Sequence, residues 1–370
     1  MRIGIDYRPA LLKESGIGRY TRELVRALAE RAGSESFLLY GSLRRPHPRP
    51  SDLPGRFAWC GGVFPARLLF LLHRCAGMTV ESRVGGLDVF HQTDFTFLPL
   101  RRAARVATIH DLAFEEGRFH EPRAVAALRR VVRRAVEECA LVLTVSEASA
   151  RDLRDRHALE PGRVRVTPLG VDARFFQAPA PAALDAFRLR HALPARFILF
   201  VGTLEPRKNV DGLVRAFARL RAAVPDVTLV IAGRRGWMFE PALRAAEPLG
   251  RAVRFLGHFP DAELPLLYRA ASVFAYPSHA EGFGLPALEA LACGIPVVTS
   301  RAPALVETVG EAAERVPSGD DEALAEALLR RLRDPGDAAT AGPARARAFP
   351  WSRTAEATLR AYAEAGAAAA

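Results

Sequence analysis

Short aliphatic runs alternate with longer amphipathic stretches along the whole chain. Strands are predicted at 2–5, 36–40, 89–91, 105–109, 141–145, 164–166, 197–201, 227–232, 253–255, 273–275 and 296–299. Most are β-branched or aliphatic at every position, the composition of parallel strands covered on both faces. Helical patterns intervene at 21–32, 122–139, 210–223 and 287–292, with a last one at 352–364. This repeating order predicts doubly wound α/β sheets.

The pattern breaks once. After Val171 and Asp172, Pro179 and Pro181 stand among alanines, a short helix ends near His191, and a fresh strand starts at 197. The seam therefore falls within 173–195, with one domain over 1–180, a second over 190–350 and a terminal helical segment over 351–370. A length of 370 residues suits two domains. The Pro/Gly-containing stretch 334–343 should interrupt the end of the second domain, and the alanines at 367–370 should fray.

Composition narrows the function classes. The opening Met1-Arg2-Ile3-Gly4-Ile5-Asp6 lacks the basic and long apolar parts of a secretion signal. No apolar run approaches the roughly 20 residues that span a bilayer. Cys60, Cys75, Cys139 and Cys293 lie far apart and form no CxxC pair. They read as small buried residues in a reducing cytoplasm. The net charge of +11 invites a nucleic-acid or membrane partner. However, only Lys13 and Lys208 are lysines, so 50 of the 52 basic residues are arginine, and Asn209 is the sole asparagine. That skew points to pressure on the whole coding sequence. No RNP-like aromatic set, zinc finger or helix-turn-helix pattern accompanies it, which argues against nucleic acid. Two stretches fit a peripheral contact with an anionic membrane, on the inner face of the cell membrane. These are 64–74, where Leu68 to Leu72 lie between basic residues, and 123–137, with Arg130 and Arg134 on one face. Both also read as core-facing helices.

The densest chemistry lies at 279–290, His-Ala-Glu-Gly-Phe-Gly-Leu-Pro-Ala-Leu-Glu-Ala. Pro286 suits the first turn of a helix, and Gly282 and Gly284 let backbone approach a ligand just before it. The free N–H groups of a helix N-terminus are a natural seat for phosphate, and carboxylates such as Glu281 and Glu289 suit sugar or ribose hydroxyls. The run 201–209, Val-Gly-Thr-Leu-Glu-Pro-Arg-Lys-Asn, follows a buried strand, with Asn209 a helix N-cap. Ligands of open α/β sheets bind beyond the carboxyl ends of strands, so Arg207 and Lys208 stand where a diphosphate would sit. In the first domain, Gly16-Ile17-Gly18 follows the first strand, an incomplete phosphate-loop signal. His91 ends one strand and His110-Asp111 end the next; each histidine reads equally as structural or ligand-facing.

Taken together these residues resemble family 4 of the retaining glycosyltransferases, along nearly the whole chain. The resemblance is carried by GIGRYTREL at 16–24, IHDLAF at 109–114, TVSEASARDL at 144–153, TPLGVD at 167–172, VGTLEPRKN at 201–209, AGRRGW at 232–237, EGFGLPALEALACGIPVV at 281–298 and WSRTAEATL at 351–359. It implies the GT-B fold: two facing Rossmann-like domains, the final helix crossing back to the first. It implies a nucleotide-sugar donor and a glycan or lipid-linked acceptor, with no cofactor or metal; no DxD-type metal motif is present. By the same resemblance Glu281 approaches the donor sugar and Glu289 the ribose, while Arg207 and Lys208 hold the diphosphate. Backbone at Phe283, Gly284 and Leu285 contacts sugar and phosphate, the loop at Gly16 and Gly18 approaches the diphosphate, and His110 lies beside the sugar. Arg234 and His258 frame the base. His91, Asp94 and Asp111 fall on the acceptor side, where Asp94 replaces a frequent Asn and leaves acceptor identity open. AGRRGW with GTLEPRKN leans toward mannosyl- and rhamnosyl-type enzymes of surface polysaccharide assembly, hence toward GDP-mannose, with UDP-glucose the other choice. A sugar-nucleotide epimerase or phosphorylase-like enzyme of the same fold, or a non-enzymatic basic membrane-binding protein, are the competing readings.

Overall fold

The computed structural model describes residues 1–12, 16–31, 33–51, 53 and 55–369, the last by its backbone alone. Lys13, the expected helix end at Ala32 and the final Ala370 lie outside the described residues. The chain forms two compact units. The first comprises Met1–Glu115, Pro122–Gly170 and Trp351–Ala370, and the second Glu116–Glu121 and Val171–Pro350. The crossing at 170–171 precedes the composition break at 173–195.

The first unit is built on a parallel sheet of β1 (Arg2–Asp6), β2 (Ser36–Tyr40), β3 (Phe57–Cys60), β4 (Val89–Gln92), β5 (Ala104–Ile109), β6 (Leu141–Thr144) and β7 (Val164–Val166). Their order is β3-β2-β1-β4-β5-β6-β7. The second sheet contains β8 (Phe197–Val201), β9 (Thr228–Ala232), β10 (Val253–Gly257), β11 (Val273–Tyr276), β12 (Val297–Ser300) and β13 (Glu314–Val316), in the order β10-β9-β8-β11-β12-β13. In each sheet the chain starts mid-sheet, runs to one edge, returns and runs to the other, as in doubly wound Rossmann-like folds. The reversals lie between β1 and β4 and between β8 and β11.

Two strands escaped the sequence pattern, β3 and β13, and both are sheet edges. Each is short and only partly buried, so the continuous aliphatic signature is missing. The helix expected from 21 begins at Gly16, which corrects the reading of Gly16 and Gly18 as a loop. Glycine disfavours helix. Here burial of Tyr20, Leu24, Val25 and Leu28 along one face outweighs that preference. The stretch 334–343 is likewise half helical, since Ala338–Ala346 runs through Pro343.

The last helix, Trp351–Ala369, belongs to the first unit and packs on the helix Gly16–Arg31. Through 369 the terminal alanines continue it instead of fraying. Alanine is the strongest helix former, and Ala365 is buried. Tyr362 reaches His91 at 2.7 Å, Thr354 Oγ1 donates to the Pro168 carbonyl at 2.5 Å, and Arg165 pairs with Glu364 at 2.7 Å. Of the cysteines, Cys139 and Cys293 are buried as expected and Cys60 partly so, but Cys75 is exposed. It lies on the outward stripe of the helix Ala66–Ala76 with Leu68 and Leu71, while Leu69 faces the core. In Pro122–Glu138, Val125 and Val132 are buried. Among the described residues no helix is long and apolar enough to cross a membrane.

Candidate functional site

In the second unit four loops at the carboxyl ends of strands are laced together. Gly202 N–H donates to the Ala232 carbonyl and Leu204 N–H to that of Arg234, joining the loops after β8 and β9. Gly233 N–H donates to the Gly257 carbonyl after β10, and His279 N–H after β11 donates to the Arg207 carbonyl at 2.7 Å. The lacing is tight enough to dictate residue type: a Cβ at Gly233 would lie 1.7 Å from the Gly202 carbonyl oxygen. Arg234 and His258 are exposed on this rim, after β9 and β10 respectively.

The reversal between β8 and β11 brings Arg207 and Lys208 onto Glu281, some seventy positions later. Glu281 Oε2 accepts from Arg207 Nη1 at 2.9 Å, and Oε1 from Lys208 Nζ at 2.5 Å. Two residues outside the sequence expectations complete the cluster. Glu205 Oε1 lies 2.6 Å from Arg207 Nε, and Tyr276 accepts from Lys208 Nζ at 2.6 Å. Lys208 also stands 4.9 Å from the Tyr276 ring centre, a cation over an aromatic face. Glu205 could have been found as a carboxylate two residues before Arg207. Tyr276 has no local signal, since it reads as one more apolar position of β11.

Burial makes the charges strong. The side chains of Glu281, Lys208 and Glu205 are 6%, 8% and 4% exposed. Burial alone would raise the Glu281 carboxyl, yet Lys208 and Arg207 pull it down to about 2. Burial and the Arg207 charge lower the Lys208 ammonium, opposed by Glu281 and Glu205. Burial, then the Glu281 charge, holds the Tyr276 phenol well above its ordinary value. The cluster is therefore two cations between two anions, capped by a neutral phenol.

Beside it, Gly284 turns the chain into the helix Leu285–Ala292 with φ of 92°, in the left-handed region that favours glycine. A Cβ there would meet Leu305 Cδ2 at 2.3 Å. Phe283 and Leu285 are buried, and the Phe283 carbonyl accepts from Thr308 Oγ1 at 2.7 Å. At the helix start Pro286 has no N–H and the Ala287 N–H donates to the Gly284 carbonyl at 3.0 Å, so the first turn offers the N–H of Leu285. Glu289 is 1% exposed and accepts from Tyr268 at 3.0 Å, deep in the unit and outside the Glu281 cluster. Asn209 does begin a helix, but its side chain makes no cap bond; it adopts φ of 54° and donates to the Pro277 carbonyl at 3.3 Å. Left-handed backbone favours Asn over most non-glycine residues, and the side-chain bond to Pro277 fixes it there. The short segment 116–121 also joins this unit, through Trp237 Nε1 on the Phe119 carbonyl at 2.6 Å and Phe119 stacked on His279.

In the first unit His91 is a core residue, which corrects its placement on the acceptor side. It is fully buried between the Tyr362 hydroxyl at 2.7 Å and Thr108 Oγ1 at 2.8 Å, and Thr108 in turn meets the Tyr20 hydroxyl at 2.9 Å. Burial, then the neighbouring His110, lowers it to about 3, so it is neutral. His110 differs: it is partly exposed, donates Nε2–H to the Thr93 carbonyl at 3.1 Å and meets Tyr20 edge-on. Asp94 is nearly buried, with Oδ1 accepting from Phe95 N–H, and Asp111 accepts from Ala113 N–H. A buried pair the sequence reading overlooked, Arg8 on Asp6 at 2.8 and 2.5 Å, ends β1. Thr93 Oγ1 donates to the Asp6 carbonyl at 2.7 Å across the reversal of the first sheet.

A reversal point carrying cations beside a helix N-terminus is where open α/β sheets bind nucleotides. Comparison with known proteins identifies the family. Residues 184–347 match the model of glycosyl transferases group 1, and 15–175 that of glycosyltransferase family 4. An Anabaena protein, HepE, in complex with UDP and glucose shares the two-unit GT-B fold at a TM-score of 0.76 and 19% identity, over 98% of this chain and 99% of that one. The D-inositol 3-phosphate glycosyltransferase of Acidothermus cellulolyticus is 32% identical over 95% of this chain and 86% of its own. The O-antigen chain mannosyltransferase B of Escherichia coli is 31% identical over 98% of this chain and 99% of its own. With both halves matched by family models and relatives aligned nearly end to end, the chain belongs to the family 4 glycosyltransferases.

Proposed function

We propose that this glycosyltransferase moves a hexose, mannose from GDP-mannose, to a hydroxyl of a glycan or lipid-linked acceptor in surface polysaccharide synthesis, with retention at the anomeric carbon. The observation that carries this reading is the buried Lys208 beside the half-buried Arg207 at the reversal of the second sheet, next to the start of Leu285–Ala292. Two fixed cations and a helix N-terminus suit a diphosphate. The Escherichia coli relative, an O-antigen chain mannosyltransferase, supports mannose.

In this reading the leaving diphosphate departs from the anomeric carbon toward Arg207 and Lys208, which neutralise the growing negative charge. The acceptor oxygen bonds to that carbon from the same face, and its proton passes to the departing phosphate oxygen. Charge stabilisation by preorganised groups is the main catalytic contribution. The two cations supply what a divalent metal supplies elsewhere, so turnover needs none. Glu281 serves the donor sugar, Glu289 the ribose end, and Arg234 and His258 the base edge. His110, with Asp111 and Asp94, serves the first unit's part of the reaction. The exposed Arg67, Leu68, Leu71 and Arg74 give the helix Ala66–Ala76 a face suited to an anionic membrane carrying a lipid-linked acceptor.

Thermal-shift titration with GDP, UDP, ADP and their sugar conjugates tests the donor reading. Selective stabilisation by GDP and GDP-mannose is expected, because a tight ligand raises apparent stability by mass action. Selective response to UDP-glucose would overturn the choice of GDP-mannose, and no response to any nucleotide would overturn the donor site.

A further inference from the structure

We infer that Glu281 is a built-in competitor of the donor's diphosphate: its carboxylate holds Arg207 and Lys208 until phosphate displaces it, and the donor sugar's hydroxyls then receive it. The inference rests on the proposed donor site and deepens it. Both carboxylate oxygens are committed to the cations, Oε1 to Lys208 at 2.5 Å and Oε2 to Arg207 at 2.9 Å. A phosphate that is to use those N–H groups must replace those bonds. With its carboxyl held near 2, Glu281 competes as a full negative charge at any working pH.

The cations, in contrast, have supports that need not move. Arg207 rests on Glu205 through Nε at 2.6 Å and on the Ala280 carbonyl through Nη1 at 3.2 Å. Lys208 rests on Tyr276, through its hydroxyl and its ring. Glu205 and Tyr276 are thus positioning residues that keep the cations aimed while the anion facing them is exchanged.

The exchange has a consequence for selectivity. A displaced, buried carboxylate is costly unless it finds new hydrogen-bond donors. An intact sugar nucleotide brings the sugar's hydroxyl groups for it; the bare nucleoside diphosphate left after transfer keeps only its ribose hydroxyls, which the proposed site gives to Glu289. Glu281 therefore weakens binding of the product relative to the donor and helps to expel it.

Isothermal titration of GDP, GDP-mannose, UDP and UDP-glucose against the full-length protein and its Glu281→Gln variant tests this. The wild type should bind the preferred sugar nucleotide more tightly than the matching diphosphate. Glu281→Gln should bind that diphosphate about tenfold tighter or more, the scale of one charge-assisted hydrogen bond. The sugar nucleotide should gain less, so the preference shrinks. Glu205→Gln removes an equally close anion that does not exchange, and should give no such gain. Equal tightening in both variants would show a general charge effect and overturn the inference. So would unchanged or weaker diphosphate binding by Glu281→Gln with native thermal unfolding. Should that variant not fold, a wild type that holds diphosphate as tightly as sugar nucleotide overturns it. Binding of no nucleotide by any form overturns the donor site itself, a separable outcome.

Discussion

Replacing Lys208 by arginine keeps the charge and changes its shape, which makes it a sharp test of the proposed phosphate site. The ammonium is 2.5 Å from Glu281, 2.6 Å from the Tyr276 hydroxyl and 4.9 Å from its ring centre, on a side chain 8% exposed. A guanidinium is broad and planar, and here it enters a space already closed on two sides, with Arg207 as neighbour. Overpacking of this kind costs about 1–3 kcal/mol of stability. Loss of one charge-assisted hydrogen bond in the transition state costs about 1.5–3 kcal/mol, roughly 10- to 150-fold in rate. The assay is kcat/KM for the cognate donor, with thermal unfolding measured alongside to separate misfolding from misalignment. The other lysine, Lys13, lies outside the described residues, so Lys208→Met serves as the comparison; it removes the charge at similar length and should be worse. Activity of Lys208→Arg within about threefold of the parent, a small barrier change, would refute the role given to Lys208.

The same charge argument predicts that EDTA leaves turnover largely intact; complete loss restored by Mg²⁺ or Mn²⁺ would contradict it. The product's anomeric coupling constant in NMR should match that of the donor, and clean inversion would sink the proposed same-face displacement. His91 should make the fold acid-sensitive: its folded value near 3 lies below the ordinary 6.5, so the unfolded chain binds the extra proton. Stability from this group is complete above about pH 6.5 and falls toward pH 3, by about 2 kcal/mol at pH 5. A denaturation series flat between pH 7 and pH 5, for want of any His91 contribution, would count against its buried neutral state. Finally, Leu68→Glu with Leu71→Glu should reduce co-sedimentation with vesicles containing anionic phosphatidylglycerol, and unchanged binding would remove the helix Ala66–Ala76 from the membrane reading.

Sequence periodicity alone determined the fold class, because inner parallel strands are apolar at every position and their helices are amphipathic. It could not show the edge strands β3 and β13, whose half-exposed residues lose that signature. Local chemistry likewise marked Arg207, Lys208 and Glu281 individually, since Gly, Pro and charge beside a buried strand are unusual together. That these three meet, and that Glu205 and Tyr276 hold them, was decided by tertiary structure. β11 lies against β8 in space although two strands and their helices intervene in sequence. His91 and His110 show the same division: both end neighbouring strands, yet one is sealed by Tyr362 from the far end of the chain and the other is partly open. Local sequence encodes backbone preference and burial pattern. Which side chain fills a given space depends on residues brought near only when the whole unit packs, and there a histidine becomes core and a glutamate becomes the partner of two cations.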